Sequence, residues 1–358
     1  LKPVTVGRMG KIVFCEDVNG ISGMSLNNNI KIAVIGGGSW ATALIKILCE
    51  QNHVQIRWWL RNRNDIAHIR KFHHNPSYLS DVVLSPRKIK VFEKIQDAVK
   101  GADYVILAVP AAFVQESLQP LSAKHLKGRR IVSAIKGMLP DRNMLITDWI
   151  AHEYEIELSE TCVIAGPCHA EEVALEKQSY LSIASTECPA PEDFAKLMTC
   201  RYVTANPLDD LYGVEYAAVM KNIIALACGI THGLGYGDNF QAVLVSNAMQ
   251  EIGSFVTALD ARERNISSSA YLGDLLVTAY SQFSRNRLFG NMIGRGYSVK
   301  AAQLEMKMIA EGYYATKSIH ELNKMHHVNL PITDAVFRIL YEEHAPAQVM
   351  DDLKKLMK

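Results

Sequence analysis

From Lys31 onward, short runs of β-branched and apolar residues alternate with stretches whose apolar positions recur at helical spacing. The runs Ile32–Ile35, Val54–Leu60, Tyr104–Val109, Ile131–Ile135, Cys162–Ala165 and Leu181–Ala184 predict strands. Most are apolar at consecutive rather than alternate positions, as strands covered by helices on both faces must be. Strand and helix in alternation predict βαβ units and an open, doubly wound, mainly parallel sheet. After Pro207 the pattern changes: helical periodicity runs through Val214–Ile230, Phe240–Leu259, Ala301–Ile309, Thr316–His326 and Thr333–Glu343 with no strand signal between them. Pro331 marks a helix start, and Gly229, Gly233, Gly235 and Gly237 read as a loop between two helices. The expected organisation is an extension over 1–29, an α/β domain over 30–207 and an all-α domain over 208–358.

Composition agrees with this division. A chain of 358 residues suits two domains, and 49% apolar with 21% charged residues is an ordinary globular balance. The 38 basic and 37 acidic residues nearly cancel, so no long-range positive field is available for nucleic acid or an anionic membrane. Lys, Asn, Gly or His interrupt the longest apolar stretches, which argues against membrane insertion. Residues 1–29 carry Glu16 and Asp17 and lack a continuous apolar core, so they do not read as a secretory signal. The seven cysteines, Cys15, Cys49, Cys162, Cys168, Cys188, Cys200 and Cys228, are odd in number and contain no C-x-x-C pair. That argues against a disulfide framework or a structural zinc site, and the expectation is a reducing, cytoplasmic location with no metal.

Gly36-Gly37-Gly38-Ser39-Trp40-Ala41 directly follows the first predicted strand and fits G-x-G-x-x-[GA]. Gly36 permits a tight turn, Gly38 lets a pyrophosphate approach the backbone, and Ala41 is small enough for the next helix to lie close to the sheet. Free N–H groups and the helix dipole then face the phosphates, with the Ser39 hydroxyl beside them. In this strand-turn-helix context the first domain reads as a Rossmann domain for NAD(P)H, although a tight turn without ligand has the same glycines. The second strand ends in Leu60-Arg61-Asn62-Arg63, without the carboxylate that commonly holds the ribose of NAD. Arg61 either pairs with the 2′-phosphate of NADP or is, with Arg63, a solvated loop charge, and both nucleotides stay open.

Lys136-Gly137 follows the strand Ile131–Ile135, and Gly166-Pro167-Cys168-His169-Ala170 follows Cys162–Ala165, so both stand where open α/β sheets bind ligands. Adjacent Cys168 and His169 lack the arrangement of a nucleophile and its base, and thiol catalysis is set aside. Lys221 lies in Ala217–Leu226, a helix apolar nearly all round. An ammonium buried there needs partners or a lowered pKa, which makes it an acid/base candidate; the alternative is a lysine snorkelling to water. Asp274 stands among apolar residues, and Ser284-Arg285-Asn286-Arg287 gathers donors suited to a phosphate monoester. Read singly, Asp274 is equally a helix cap and Arg285 a surface charge, while Glu311-Gly312 is either a helix end or a carboxylate facing a ribose.

Taken together, these pieces resemble the bacterial type of NAD(P)-dependent glycerol-3-phosphate dehydrogenase. The resemblance covers about residues 31–350 and includes Gly36-x-Gly38-Ser39-Trp40, Asn75-Pro76-x-Tyr78-Leu79, Lys136-Gly137, Gly166-Pro167, Gly213 through Lys221-Asn222, Gly233 through Asn239, Leu272 through Leu275, Ser284 through Arg287, Glu311-Gly312 and Pro331-Ile332-Thr333. It implies reversible hydride transfer between NAD(P)H and dihydroxyacetone phosphate, giving sn-glycerol 3-phosphate for glycerophospholipid synthesis. It further implies that Lys221 exchanges the proton and that Lys136, Gly166, Cys168, Asp274, Ser284, Arg285 and Asn286 surround the substrate. Ser39, Trp40, Arg61, Lys136, Ala170, Arg285, Ile309 and Glu311 would touch the cofactor, and a homodimer is the family-level expectation. The chain departs from the family at Cys168, where Ser is usual, at His169, where Phe is usual, and at Ala41, where Gly is usual. Two other readings fit the residues: a related dehydrogenase of another hydroxy acid or polyol phosphate, and a nucleotide sensor without turnover.

Overall fold

A computed structural model of the chain describes residues 29–186, 190–306 and 310–358. In chain order its strands are β1 (Ile30–Ile35), β2 (Val54–Trp59), β3 (Ile89–Phe92), β4 (Tyr104–Leu107), β5 (Arg130–Ser133), β6 (Met138–Leu139), β7 (Met144–Leu145), β8 (Thr161–Ala165), β9 (Ser179–Ala184) and β10 (Val203–Leu208). β6 and β7 form a small hairpin; the other strands make one sheet in the order β10-β9-β8-β5-β4-β1-β2-β3. Pairings from β3 across to β8 are parallel. β9 meets β8 antiparallel and β10 runs with β9, so the last two strands oppose the rest. Chain order reverses on either side of β1, which pairs with both β2 and β4, and the crevice where open α/β sheets bind ligands is expected there, beyond the strands' carboxyl ends.

The unbroken apolar runs are explained by burial on both faces. In β1, Ile32 and Val34 pack with Leu44 and Leu48 on one side, while Ala33 and Ile35 pack with Val99 and Leu118 on the other. β3 and β10 were not foreseen, and both are sheet edges. β10 includes Pro207, which pairs in register with Ile183. An edge strand tolerates a residue that donates no ladder hydrogen bond, so Pro207 lies within the last strand rather than beyond it.

The helical part begins with the 23-residue helix Leu211–Gly233, longer at both ends than its periodicity indicated and buried along nearly all its length. It packs against the sheet through Val163, Ala165 and Ala184. By length and composition alone, this helix and Asp238–Leu259 would each pass as membrane spans, which corrects the view that polar residues cut every apolar stretch short. The first is apolar because it is the centre of a protein core. Gly229 and Gly233 lie inside it rather than in a loop, and only Gly235 and Gly237 lie in the connection. The reason is close helix contact: a Cβ on Gly229 would stand 2.1 Å from the Arg287 carbonyl oxygen, and one on Gly290 2.2 Å from that of Leu226. The helix Arg285–Gly294 thus touches the core helix backbone to backbone.

Helices Val299–Glu305, Glu311–His326 and Pro331–Leu340 lie over the remaining predicted stretches, with Pro331 in the first turn of the last; the first ends at Glu305 and the last at Leu340, short of the predicted Ile309 and Glu343. Ile309 and residues 1–28 lie outside the described residues. Cys49, Cys162, Cys168, Cys200 and Cys228 are free thiols.

Candidate active site

The glycine turn follows β1 directly. Gly36 has φ +135°, and a Cβ there would lie 2.3 Å from the Ala108 carbonyl oxygen, so glycine is required on both counts. Ser39 and Trp40 open the helix Ser39–Cys49, with Gly38 as its N-cap. Its first amides therefore face the crevice with the positive end of the helix dipole. The Trp40 ring lies 5.3 Å from Lys136 Nζ, a cation–π distance, and its indole N–H is buried without a partner.

Lys136 leaves the end of β5 half-buried, and its Nζ is 4.0 Å from Asp274 Oδ1. Lys221, only 3% exposed, forms an ion pair with the same oxygen. Asp274 starts the helix Asp274–Tyr280, entered through a π-helical turn over Ser269–Gly273, and its Oδ2 accepts from Gly166 N at 3.2 Å. It is therefore both a helix-terminal acid and a site residue. Two ammonium groups share one carboxylate in a dry place. Burial, reinforced by Lys136, outweighs the attraction of Asp274 and brings the Lys221 pKa down to about 7. The snorkelling alternative fails, because Lys221 Nζ ends on Asp274 inside the protein.

Asn222, which sequence left ambiguous, is a buried bridge. Its Nδ2 donates to the Lys136 carbonyl at 2.7 Å, its Oδ1 accepts from Asn286 Nδ2 at 2.9 Å, and Asn286 Oδ1 accepts from Gly312 N at 2.9 Å. A chain of amides thus ties β5's end to three helices, and Asn286 keeps a single N–H for any ligand. Ser284 caps the helix Arg285–Gly294 by accepting from Arg287 N at 3.3 Å, which leaves its hydroxyl proton to give. Arg285 Nη2 donates to Ser39 Oγ at 3.2 Å and so joins the glycine turn to the helical part.

Glu311 stands at a helix end, the N-terminal one of Glu311–His326. Its Oε1 accepts from Ala111 N at 3.1 Å, while Oε2 is buried without a partner. Burial pushes this carboxyl up to about 7. The Ala111 amide, just past β4, gave no sequence signal because a backbone donor has no residue preference.

Cys168 is buried, and its thiol is pushed up to about 11 by burial, with Lys136 and Ser179 pulling the other way. It is a neutral thiol, consistent with setting thiol catalysis aside. His169 places Nε2 3.3 Å from the Val277 carbonyl oxygen and its ring against Phe283, and burial lowers its pKa. Ala170 is buried at the start of the short helix Ala170–Ala174. Arg61 is apart from this cluster, at the end of β2, with a side chain 74% exposed and 3.8 Å from Glu116.

The residues fit a dinucleotide in the crevice. The glycine turn offers free amides to phosphate, and two buried, unpartnered polar groups flank Lys136-Gly137 nearby: the Trp40 N–H, on a ring 5.3 Å from Lys136 Nζ, and Glu311 Oε2, 2.7 Å from where a Cβ on Gly137 would stand. Among the described residues no group of His, Cys, Asp and Glu is arranged to hold a metal.

Comparison with known proteins agrees over both parts of the chain. Residues 31–190 match the family model for the NAD-dependent glycerol-3-phosphate dehydrogenase N-terminus, and residues 210–351 match that for its C-terminus. Glycerol-3-phosphate dehydrogenase [NAD(P)+] of an Exiguobacterium species is 36% identical over 91% of this chain and 95% of its own length. The protein of that name from Shouchella clausii is 34% identical over 90% and 95%. The crystal structure of glycerol-3-phosphate dehydrogenase from Coxiella burnetii superposes with TM-score 0.84 at 29% identity, covering 91% of this chain and 98% of that one. With both family models matched in order and relatives aligned over nine-tenths of its length, the chain belongs to the NAD-dependent glycerol-3-phosphate dehydrogenase family.

Proposed function

We propose that the protein catalyses reversible hydride transfer between NAD(P)H and C2 of dihydroxyacetone phosphate, forming sn-glycerol 3-phosphate. The observation that carries this reading is the buried Lys221–Asp274 pair, with Lys136 beside it, at the carboxyl ends of the strands. Residues 30–207 form the dinucleotide-binding domain and 208–358 the helical domain that carries Lys221, and both line the substrate. The bound cofactor supplies the hydride. Lys221, its pKa near neutrality, gives a proton to the C2 oxygen in reduction and takes it back in oxidation. Lys136 polarises the same oxygen, and Asp274 holds both ammonium groups in place. Arg285 grips the phosphate with Ser284 and the remaining Asn286 N–H, converting binding energy far from C2 into alignment at C2. Gly166 and Cys168 line the substrate's other side. The thiol is a weak donor there compared with a hydroxyl.

Gly38 and Ser39, at the turn that Gly36 permits, would hold the cofactor's phosphates beside Trp40, and Ala170, Arg285 and Glu311 would contact the rest of it; the Ile309 contact, outside the described residues, rests on the resemblance alone. Exposed Arg61 reads the adenosine ribose and favours NADPH. The free thiols suit the reducing cytoplasm, where we place the chain.

The test is loss of reduced-nicotinamide absorbance when dihydroxyacetone phosphate is added with NADH or NADPH. Rapid loss is expected, and Lys221→Ala should abolish it while leaving cofactor binding intact. Near-normal turnover by that variant would remove Lys221 from its role. Turnover with another polyol phosphate or hydroxy acid, but not with dihydroxyacetone phosphate, would reassign the substrate.

A further inference from the structure

The segment Asn75-Pro76-Ser77-Tyr78 has no place in the chemistry above, yet Asn75 is completely buried. Its side chain is engaged at both ends. Nδ2 donates to the Gly37 carbonyl at 3.0 Å and to Thr42 Oγ1 at 2.9 Å. Oδ1 accepts from Ser77 N at 3.0 Å and Tyr78 N at 3.2 Å, which fixes the amide's orientation. The neighbouring carbonyls are held too. That of Gly36 accepts from the Trp58 indole at 2.6 Å, and that of Gly38 accepts from Thr42 through both its N and its Oγ1 at 3.0 Å.

Three successive carbonyl groups are therefore drawn into the protein by three different side chains. A trans peptide unit points its C=O and the following N–H in opposite directions. Fixing the carbonyls of Gly36, Gly37 and Gly38 consequently turns the N–H groups of Gly37, Gly38 and Ser39 outward. Glycines at 36 to 38 leave the peptide planes free to rotate, so sequence alone does not set this orientation. Asn75 holds the middle plane from a segment about forty residues further along the chain.

We infer that Asn75 is a positioning residue for the cofactor's pyrophosphate: it clamps the Gly37 carbonyl so that the Gly38 amide is presented to a phosphate oxygen. This rests on the reading that a nicotinamide dinucleotide binds at the glycine turn. Asn75 touches no ligand. Its effect is pre-organisation of a donor, and it confines the loss on substitution to phosphate-bearing ligands.

The experiment compares the full-length wild-type chain with Asn75→Asp, Asn75→Ala and Thr42→Val in binding NADH, ADP and adenosine. Asn75→Asp keeps the acceptor for Ser77 and Tyr78 but cannot donate to Gly37; Asn75→Ala removes the donor without adding charge. Thr42→Val keeps shape if either Asn75 variant fails to fold. The Kd for NADH and for ADP should rise about tenfold or more in the Asn75 variants. Thr42→Val should move in the same direction by less. Adenosine affinity, and KM for dihydroxyacetone phosphate at saturating cofactor, should stay as in wild type. Equal weakening of ADP and adenosine, or unchanged NADH affinity in folded variants, overturns the inference. If the wild-type chain binds neither NADH nor ADP, the cofactor reading itself falls, and the role of Asn75 with it.

Discussion

Asp274 stands between two ammonium groups, so its removal should be read first as a change in proton affinity. Asp274→Asn preserves shape, and its carbonyl can still accept from Gly166 N. What is lost is one negative charge in contact with Lys221 and 4.0 Å from Lys136. At that distance a unit charge pair is worth about 4 kcal/mol at an effective dielectric constant of about 20. This corresponds to about three pKa units, and the carboxamide dipole left in place keeps part of it, so the expected fall is about one to three units. The direction is fixed: without the carboxylate the charged form of Lys221 is less favoured, and its pKa drops from about 7 to below about 6. With Lys221 as the proposed proton donor, kcat/KM for reduction of dihydroxyacetone phosphate should fall as pH rises through that pKa. In Asp274→Asn the falling limb should move to lower pH by at least about one unit, with a loss at pH 7 of about fivefold for a one-unit fall and about five-hundredfold for three. The assay is the pH dependence of kcat/KM, measured with a buffer series at constant ionic strength. A limb that stays in place, or moves to higher pH, would refute the reasoning that Lys221 owns it.

Gly290→Ala puts a methyl group 2.2 Å from the Leu226 carbonyl oxygen and should destabilise the protein by about 2 kcal/mol or more, read as a lower Tm in thermal unfolding. Arg61→Ala should raise the KM for NADPH about tenfold while leaving that for NADH nearly unchanged; equal changes would make Arg61 a solvated loop charge after all. Cys168, its pKa near 11, should resist iodoacetamide at pH 8, with peptide mapping of the labelled protein as the check. Cys168→Ser should lower the KM for dihydroxyacetone phosphate severalfold if the residue contacts substrate.

Legibility in the sequence followed the scale of the interaction. Strands buried on both faces announced themselves as apolar runs, whereas the edge strands β3 and β10, with Lys90 exposed in one and Pro207 in the other, did not. Lys221 was visible because an ammonium in an apolar helix is chemically anomalous. Its pairing with Asp274, fifty-three residues away, was not, since burial and proximity are set by how the helices pack. Gly229 and Gly233 were misread because glycine signals both turns and close helix contact, and only the partner helix tells them apart. Asn222 and Asn75 were seen as letters of a motif; their work, bridging helices and holding a carbonyl, is stated only in three dimensions.

The glycine contacts between helices act as a gauge. Arg287 meets the core helix at Gly229, Gly290 meets it at Leu226, and a Cβ on Gly312 would stand 2.5 Å from the Asn222 carbonyl oxygen. The spans from Lys221 to Arg285 and to Glu311 are therefore set largely by main chain against main chain, with the Leu226 side chain also close against Gly312. A substrate one carbon longer cannot be met by sliding a helix along its neighbour, because each step would drive a carbonyl into a Cα. With Lys221 and Arg285 at the two ends of the substrate, as proposed, ligand length would be measured by a rigid spacing, and tolerance for other substrates would fall to the loops and the 168–169 turn.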